Sequence, residues 1–212
     1  MSLQSISAIK PFDTPLKASE IESRIRRERE LEKRRLSIQR LQNSGIEREF
    51  WSASIDSCEP VVQDYAAKLF SGEKKSLIIQ GDTGVGKTYA ASAIAIKAME
   101  NAPARSIDAA NLGSAAMDDH YASILRGTPL LIIDDLGNEH RSEWSNAFLF
   151  SLLKRRMSNN IPTIITTQYT DHELANQLSQ SADLAYRRTK ALLSRFGQYA
   201  VKIHLEANDR RL

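Results

Sequence analysis

Cysteine is almost missing from this 212-residue chain. Cys58 stands alone, so neither an internal disulfide framework nor a cysteine zinc cluster can be built within one chain. Histidine is nearly as scarce: His120, His140, His172 and His204 are scattered without ligand spacing, which favours surface or structural roles over a transition-metal site. No run approaches the roughly eighteen consecutive apolar residues of a membrane span. The N-terminus, broken by Lys10, Pro11, Asp13 and Pro15, lacks the pattern of a signal peptide. There is no internal repeat and no low-complexity tract. What remains is 42% apolar, enough for the core of one ordinary domain with an appendage, and the expected address is the cytoplasm.

The net charge of +3 is uneven. Nine Lys and Arg against five Glu fall between Lys17 and Arg40, so the basic character belongs to the N-terminal segment. Such a stretch reads either as a solvated helix face or as a contact for nucleic acid or an acidic protein surface. Residues 1–16 are expected to be irregular, with Pro11 and Pro15 interrupting any helix. Ser19 is a plausible N-cap for a long charged helix over 20–42, whose Ile21, Ile25, Leu31, Leu36, Ile38 and Leu41 drift around the axis and keep no heptad seam. Asn43, Ser44 and Gly45 form a stop signal. Residues 46–55, with Phe50 and Trp51, read as a connector that packs aromatics on the domain that follows, and Pro60 suits the first turn of a helix over 60–70.

From Ser76 onward strand and helix alternate, which predicts an α/β domain with a mainly parallel five-stranded sheet covered on both faces. Strands are expected at 76–80, 105–109, 130–134, 163–167 and 199–205. The last alternates Val201, Ile203 and Leu205 with Lys202 and His204, so one of its faces is exposed.

Gly81-Asp82-Thr83-Gly84-Val85-Gly86-Lys87-Thr88 is a complete G-x-x-x-x-G-K-[ST] phosphate-binding loop between the buried strand Leu77-Ile78-Ile79 and a helix over 89–99. Its glycines let successive N–H groups face phosphate oxygens, and the helix N-terminus adds a positive dipole end. Lys87 is placed to hold the β- and γ-phosphates of ATP and Thr88 to ligate Mg2+. Leu130-Leu131-Ile132-Ile133-Asp134-Asp135 has the form of a Walker B strand, with Asp134 holding the magnesium through a water and Asp135 orienting or polarising the attacking water. Gln168, after the strand ending Thr166-Thr167, reads either as a γ-phosphate or water contact or as a cap for a helix near Asp171. In a parallel sheet these three strand tips should meet around the nucleotide. A helix over 182–196 ends in Ser194-Arg195-Phe196-Gly197, where residue physics alone makes Gly197 the C′ residue and Arg195 a partner of the negative dipole end.

Taken in order, the phosphate loop, Leu-Ile-Ile-Asp-Asp-Leu-Gly, Ile-Pro-Thr-Ile-Ile-Thr-Thr-Gln and Leu-Leu-Ser-Arg-Phe-Gly resemble the DnaC/IstB group of AAA+ ATPases over about residues 38–211. Gln42 to Ile46 with Phe50, Trp51, Ala53 and Ser54, and then Trp144, Leu149 and Phe150, are similar to the bacterial and phage helicase loaders of that group. The resemblance implies an ATPase, slow and dependent on self-assembly or DNA. In it Lys87 and Thr88 form the Walker A pair, Asp134 and Asp135 the Walker B acids, Gln168 stands at sensor 1, and Arg195 is an arginine finger acting on a neighbour's ATP. Arg210 and Arg211 match the basic end of the family domain.

Three departures stand out: sensor 1 is Gln168 and not Asn, the interval 112–130 is shorter than in DnaC, and no cysteine cluster precedes Ser44 to form a zinc module. The expected organisation is a partner-binding extension over 1–43, a connector over 44–75 and an AAA+ domain over 76–212. The expected function is loading of a replicative hexameric DNA helicase, with an ATP-dependent homo-oligomer and single-stranded DNA as further partners. A transposition helper ATPase and a non-hydrolysing ATP-dependent adaptor are the alternatives.

Overall fold

The computed structural model describes residues 18–138, 143–179 and 183–206. The segment 1–16 expected to be irregular, Lys17, His140, Ala182 and the Arg210–Arg211 end lie outside the described residues. The chain divides into two compact units, Met1–Leu36 and Ser37–Leu212. In the first, helix α1 (Ala18–Gln42, running on into the second) leaves Ile21, Ile25, Leu31 and Leu36 exposed. That helix is already present at Ala18, so Ser19 lies within it and is not the N-cap expected of it. Gly45 ends the helical path at φ 79°. A Cβ at Gly45 would stand 2.3 Å from Ser106 O, so glycine is required by both conformation and close approach.

The second unit is built on five parallel strands: β1 (Ser76–Gln80), β2 (Ala104–Asp108), β3 (Leu130–Asp134), β4 (Thr163–Thr167) and β5 (Ala200–His204), in the spatial order β2-β3-β4-β1-β5. The three central strands are near-continuous apolar runs because both their faces are covered. Period-two alternation sends Leu77, Ile79, Ile132 and Ile164 into one core with Val62, Tyr65 and Ile94. Ile78, Leu131, Ile133 and Ile165 enter the other with Leu152, Leu153 and Phe196.

Helices α2 (Pro60–Phe70) and α3 (Lys87–Ala98) cover the first face, with Phe50 and Trp51 of the connector packed against that core. On α3 the buried residues include Ala90, Ala91, Ala93 and Ala95, small enough to seat the helix close on the strands. The second face is covered by α4 (Leu112–Ala116), α5 (Asp119–Gly127), α6 (Glu143–Ser158), α7 (Asp171–Ser179) and α8 (Asp183–Gln198). The short interval 112–130 therefore holds two small helices, the second capped by Asp118, whose Oδ1 accepts from Tyr121 N at 2.9 Å.

Differences from the sequence reading sit at element ends. β2 runs over 104–108 and not 105–109, because Asp108 closes a turn by accepting from Ala110 N at 2.7 Å. β5 is confined to 200–204, with Ile203 buried and Lys202 and His204 exposed, while α3 begins at Lys87 itself. Helix α8 continues through Gly197 to Gln198, so Gly197 is not a left-handed stop; the turn into β5 is closed by Tyr199 N donating to Phe196 O at 2.9 Å. The cap of α7 is Thr170 and not Gln168: Thr170 N–H and hydroxyl donate to Glu173, and Glu173 N–H donates back at 3.4 Å, a capping box.

Arg156 of α6 is fully buried, and among the described residues no carboxylate pairs with it. Its guanidinium donates to Thr163 Oγ1 (2.8 Å), Leu125 O (2.9 Å), Thr128 O (2.8 Å) and Pro162 O (2.6 Å). Burial pushes its pKa down to about 10, still charged at neutral pH. One side chain thus ties α5, α6 and the start of β4. Replacing it strands several buried acceptors and opens a cavity, so Arg156→Ala is expected to destabilise the domain by about 3–5 kcal/mol, read as a lowered urea midpoint.

Candidate nucleotide site

Strand β1 delivers the chain to Gly81 at φ 148°, where a Cβ would lie 2.4 Å from Leu205 O. The loop then turns over Asp82 to Val85 and enters α3 through Gly86, which occupies the N-cap position in a left-handed conformation (φ 94°, ψ 23°) with no side-chain cap. A side chain there would compete for the first amides of the helix. Its absence suits a site for an anion at the positive end of the dipole.

Lys87 is only 8% exposed, and its Nζ donates to Gly81 O at 2.9 Å and Asp82 O at 2.7 Å. The ammonium is thereby folded over the loop it must serve. One residue on, Thr88 Oγ1 donates toward Asp134, 3.2 Å from Oδ1 and 3.1 Å from Oδ2. The loop and the Walker B strand therefore meet where their sequences placed them. Asp135 follows, exposed, with φ 55°, a left-handed conformation uncommon outside glycine. Gln168 reaches the phosphate loop: Thr83 Oγ1 donates to its Oε1 at 3.1 Å, and its Nε2 donates to Asn138 Oδ1 at 2.5 Å.

The tips of β1, β3 and β4 are thus linked by side chains. Arg195 is exposed on the last turn of α8 and does not line the cleft of its own chain.

That cleft has a volume of about 620 Å³. Beyond the loop and the Walker B acids it is walled by Ile46, Glu47, Glu49 and Phe50 of the connector, Asp108 at the tip of β2, and Asn138. Burial raises the pKa of Asp134, hydrogen bonds from Thr166 and Thr88 oppose this, and the charges of Asp135 and Asp108 reinforce it. Glu47 is raised by burial, then by Glu49, Asp134 and Asp108. Carboxylates outnumber Lys87, so this wall repels a bare triphosphate and calls for a cation between them. Among the described residues no group of three or more His, Cys, Asp or Glu could hold a metal by itself. The donor set of Thr88 hydroxyl and Asp134 carboxylate is instead the sparse, hard-oxygen kind that suits Mg2+ shared with phosphates.

Sequence reasoning missed Thr166, Asn138, Asp108 and the Glu47–Glu49 wall. Paired hydroxyls at a strand tip beside an acidic strand were a usable signal for Thr166, whereas nothing local placed the connector beside the nucleotide loop.

The sequence matches the family of IstB-like ATP binding proteins over residues 13–212. It is 28% identical over 152 residues to the replicative helicase loader DnaI of Bacillus subtilis, covering 66% of this chain and 49% of that protein, so the chain spans about half the length of this relative. A crystal structure of DnaI superposes with a TM-score of 0.68 at 23% identity, covering 77% of this chain and 96% of that one. For a DnaC helicase loader the values are 0.60 and 23%, over 76% and 100%. AMPPCP-bound DnaA from Aquifex aeolicus gives 0.59 at 17%, over 78% and 53%. These establish the fold as that of AAA+ P-loop proteins.

The raised pKa of Asp134 carries a sign. A carboxyl whose folded-state value lies above its unfolded one favours the fold at acid pH, and that contribution is lost as pH rises through the folded value. At neutral pH without nucleotide, Asp134→Asn is therefore expected to raise Tm by several degrees, the gain shrinking toward the acid side as the wild-type carboxyl protonates. Paired melting curves across pH check it.

Proposed function

The chain belongs to the IstB-like ATP binding protein family, and on that footing we propose that it is an ATP-hydrolysing loader of a replicative DNA helicase. The observation that carries the reading is the meeting of Thr88 and Asp134 beside Lys87, at the foot of an uncapped helix N-terminus. Backbone amides of 82–88 and Lys87 would take the phosphates of ATP. Thr88 and Asp134 would hold Mg2+, which when bound neutralises charge on the phosphates. Asp135, exposed next to Asp134, would orient the attacking water, and Gln168, already bonded to Thr83 of the loop, would fix the far side of the γ-phosphate.

Arg195 faces solvent on its own chain. Its role in this reading is exercised on the ATP of a neighbouring copy, where a trans-acting guanidinium stabilises the charge that develops during phosphoryl transfer. Assembly and turnover are thereby linked. The helicase-loading role rests on the family and on the DnaI relative. The charged helix α1 is the segment assigned to the helicase, within the partner-binding extension of residues 1–43. Arg40 donates to Met99 O at 2.7 Å and Leu41 packs against the core, so 1–36 is the part that can be removed without opening the ATP-binding unit.

Lys87→Ala is expected to abolish binding of a fluorescent ATP analogue. Arg195→Ala should leave that affinity unchanged while lowering phosphate release about 10³-fold and preventing ATP-dependent assembly; wild-type turnover in the second variant would remove the finger. Affinity capture from host lysate with ATP present should recover a hexameric helicase with the full chain and none with residues 1–36 deleted. Recovery of a transposase in its place would make the protein a transposition helper.

A further inference from the structure

The β3–β4 ladder pairs Leu131 with Thr163, Ile132 with Ile164 and Ile133 with Ile165. Past Ile165 the two tips are held by other means. Thr166 is fully buried, and its Oγ1 donates to Asp134 Oδ1 at 2.5 Å while accepting from Asp135 N–H at 2.9 Å. Its carbonyl accepts from Leu136 N at 2.9 Å. A hydroxyl has one proton and no second orientation that keeps both partners, so these two bonds fix each other.

We propose that Thr166 is the positioning residue of the ATP site: one hydroxyl aims the Asp134 carboxylate at Thr88 and holds the Asp135 backbone in the left-handed turn that presents its carboxylate to the cleft. With Oδ1 anchored by Thr166, the carboxylate cannot rotate about its last bond, and Oδ2 stays 3.1 Å from Thr88 Oγ1. Asp135 carries a Cβ at φ 55° and so needs a tether; its N–H bond to the same oxygen supplies one. Water cannot substitute, because the hydroxyl is sealed from solvent. The two acidic residues are thus set as a pair from β4, the strand that also carries Gln168 at its tip, so that metal ligand, water-orienting acid and γ-phosphate contact share one support. The inference rests on the Mg-ATP reading above.

Thr166→Val keeps the shape and removes donor and acceptor, while Thr166→Ser keeps the hydroxyl and removes a methyl. For the valine variant, the Mg2+ concentration that half-saturates binding of a fluorescent ATP analogue should rise about tenfold, with affinity in EDTA unchanged. At saturating Mg2+, kcat should fall about 10–100-fold with little change in KM, and serine should restore both. Thr166→Ala, less bulky, is read in the same way should valine fail to fold, as judged by its melting curve. Wild-type Mg2+ half-saturation in the valine or alanine variant, or a serine variant as impaired as valine, overturns the proposal. If the wild-type protein itself releases no phosphate, hydrolysis is refuted, and the Mg2+ titration alone decides the role of Thr166.

Discussion

The structure turns on the carboxylate of Asp134. It sits partly sheltered at the end of β3, where burial disfavours its charge, and two hydroxyls, Thr88 in the first turn of α3 and Thr166 in β4, hold it. Burial that disfavours the charge and hydrogen bonds that favour it pull against each other at this one group. Everything around it serves that tension. The phosphate loop brings Thr88, the β4 tip brings Thr166 and Gln168, and the acidic wall of Glu47, Glu49 and Asp108 adds negative charge to the cleft that Asp134 faces.

The parallel order of the sheet is what makes the arrangement possible. Because β1, β3 and β4 lie side by side and run the same way, their carboxyl ends open on one rim, where the loop after β1 and the tip of β3 line the cleft and β4 supports them through Thr166 and Gln168. The sheet is held in that alignment partly by Arg156, whose guanidinium satisfies carbonyls from the α5 end and the entry to β4 on the opposite rim. A neutral hydrophobe could fill that space, but it could not satisfy those oxygens.

Much of this was legible in the chain. Apolar runs bounded by turn residues gave β1, β3 and β4 their observed limits, since fully buried strands leave no ambiguity of face, and Pro60 marked the start of α2. The phosphate loop and Walker B strand were readable because their spacing encodes their geometry. Ends decided by side-chain capping were harder: Asp108 ends β2 with its own turn, and Thr170 with Glu173 caps α7 where Gln168 had been a candidate. Gly197 misled because a glycine near a helix end usually stops it, yet here α8 passes through it. Least legible were the contacts of the connector, whose position depends on Ser44 and Gly45 meeting a strand some sixty residues away.

That meeting has a consequence for how copies of this chain can touch. Ser106 of β2 donates its N–H to Ser44 O at 2.6 Å, and the absence of a side chain at Gly45 lets the backbone press against Ser106 O. The outer margin of β2 is therefore already stitched to its own polypeptide at its middle residue. Of the sheet's two margins, β2 and β5, the first is therefore closed to strand addition at its centre by its own chain, and a second copy cannot extend the sheet through that position.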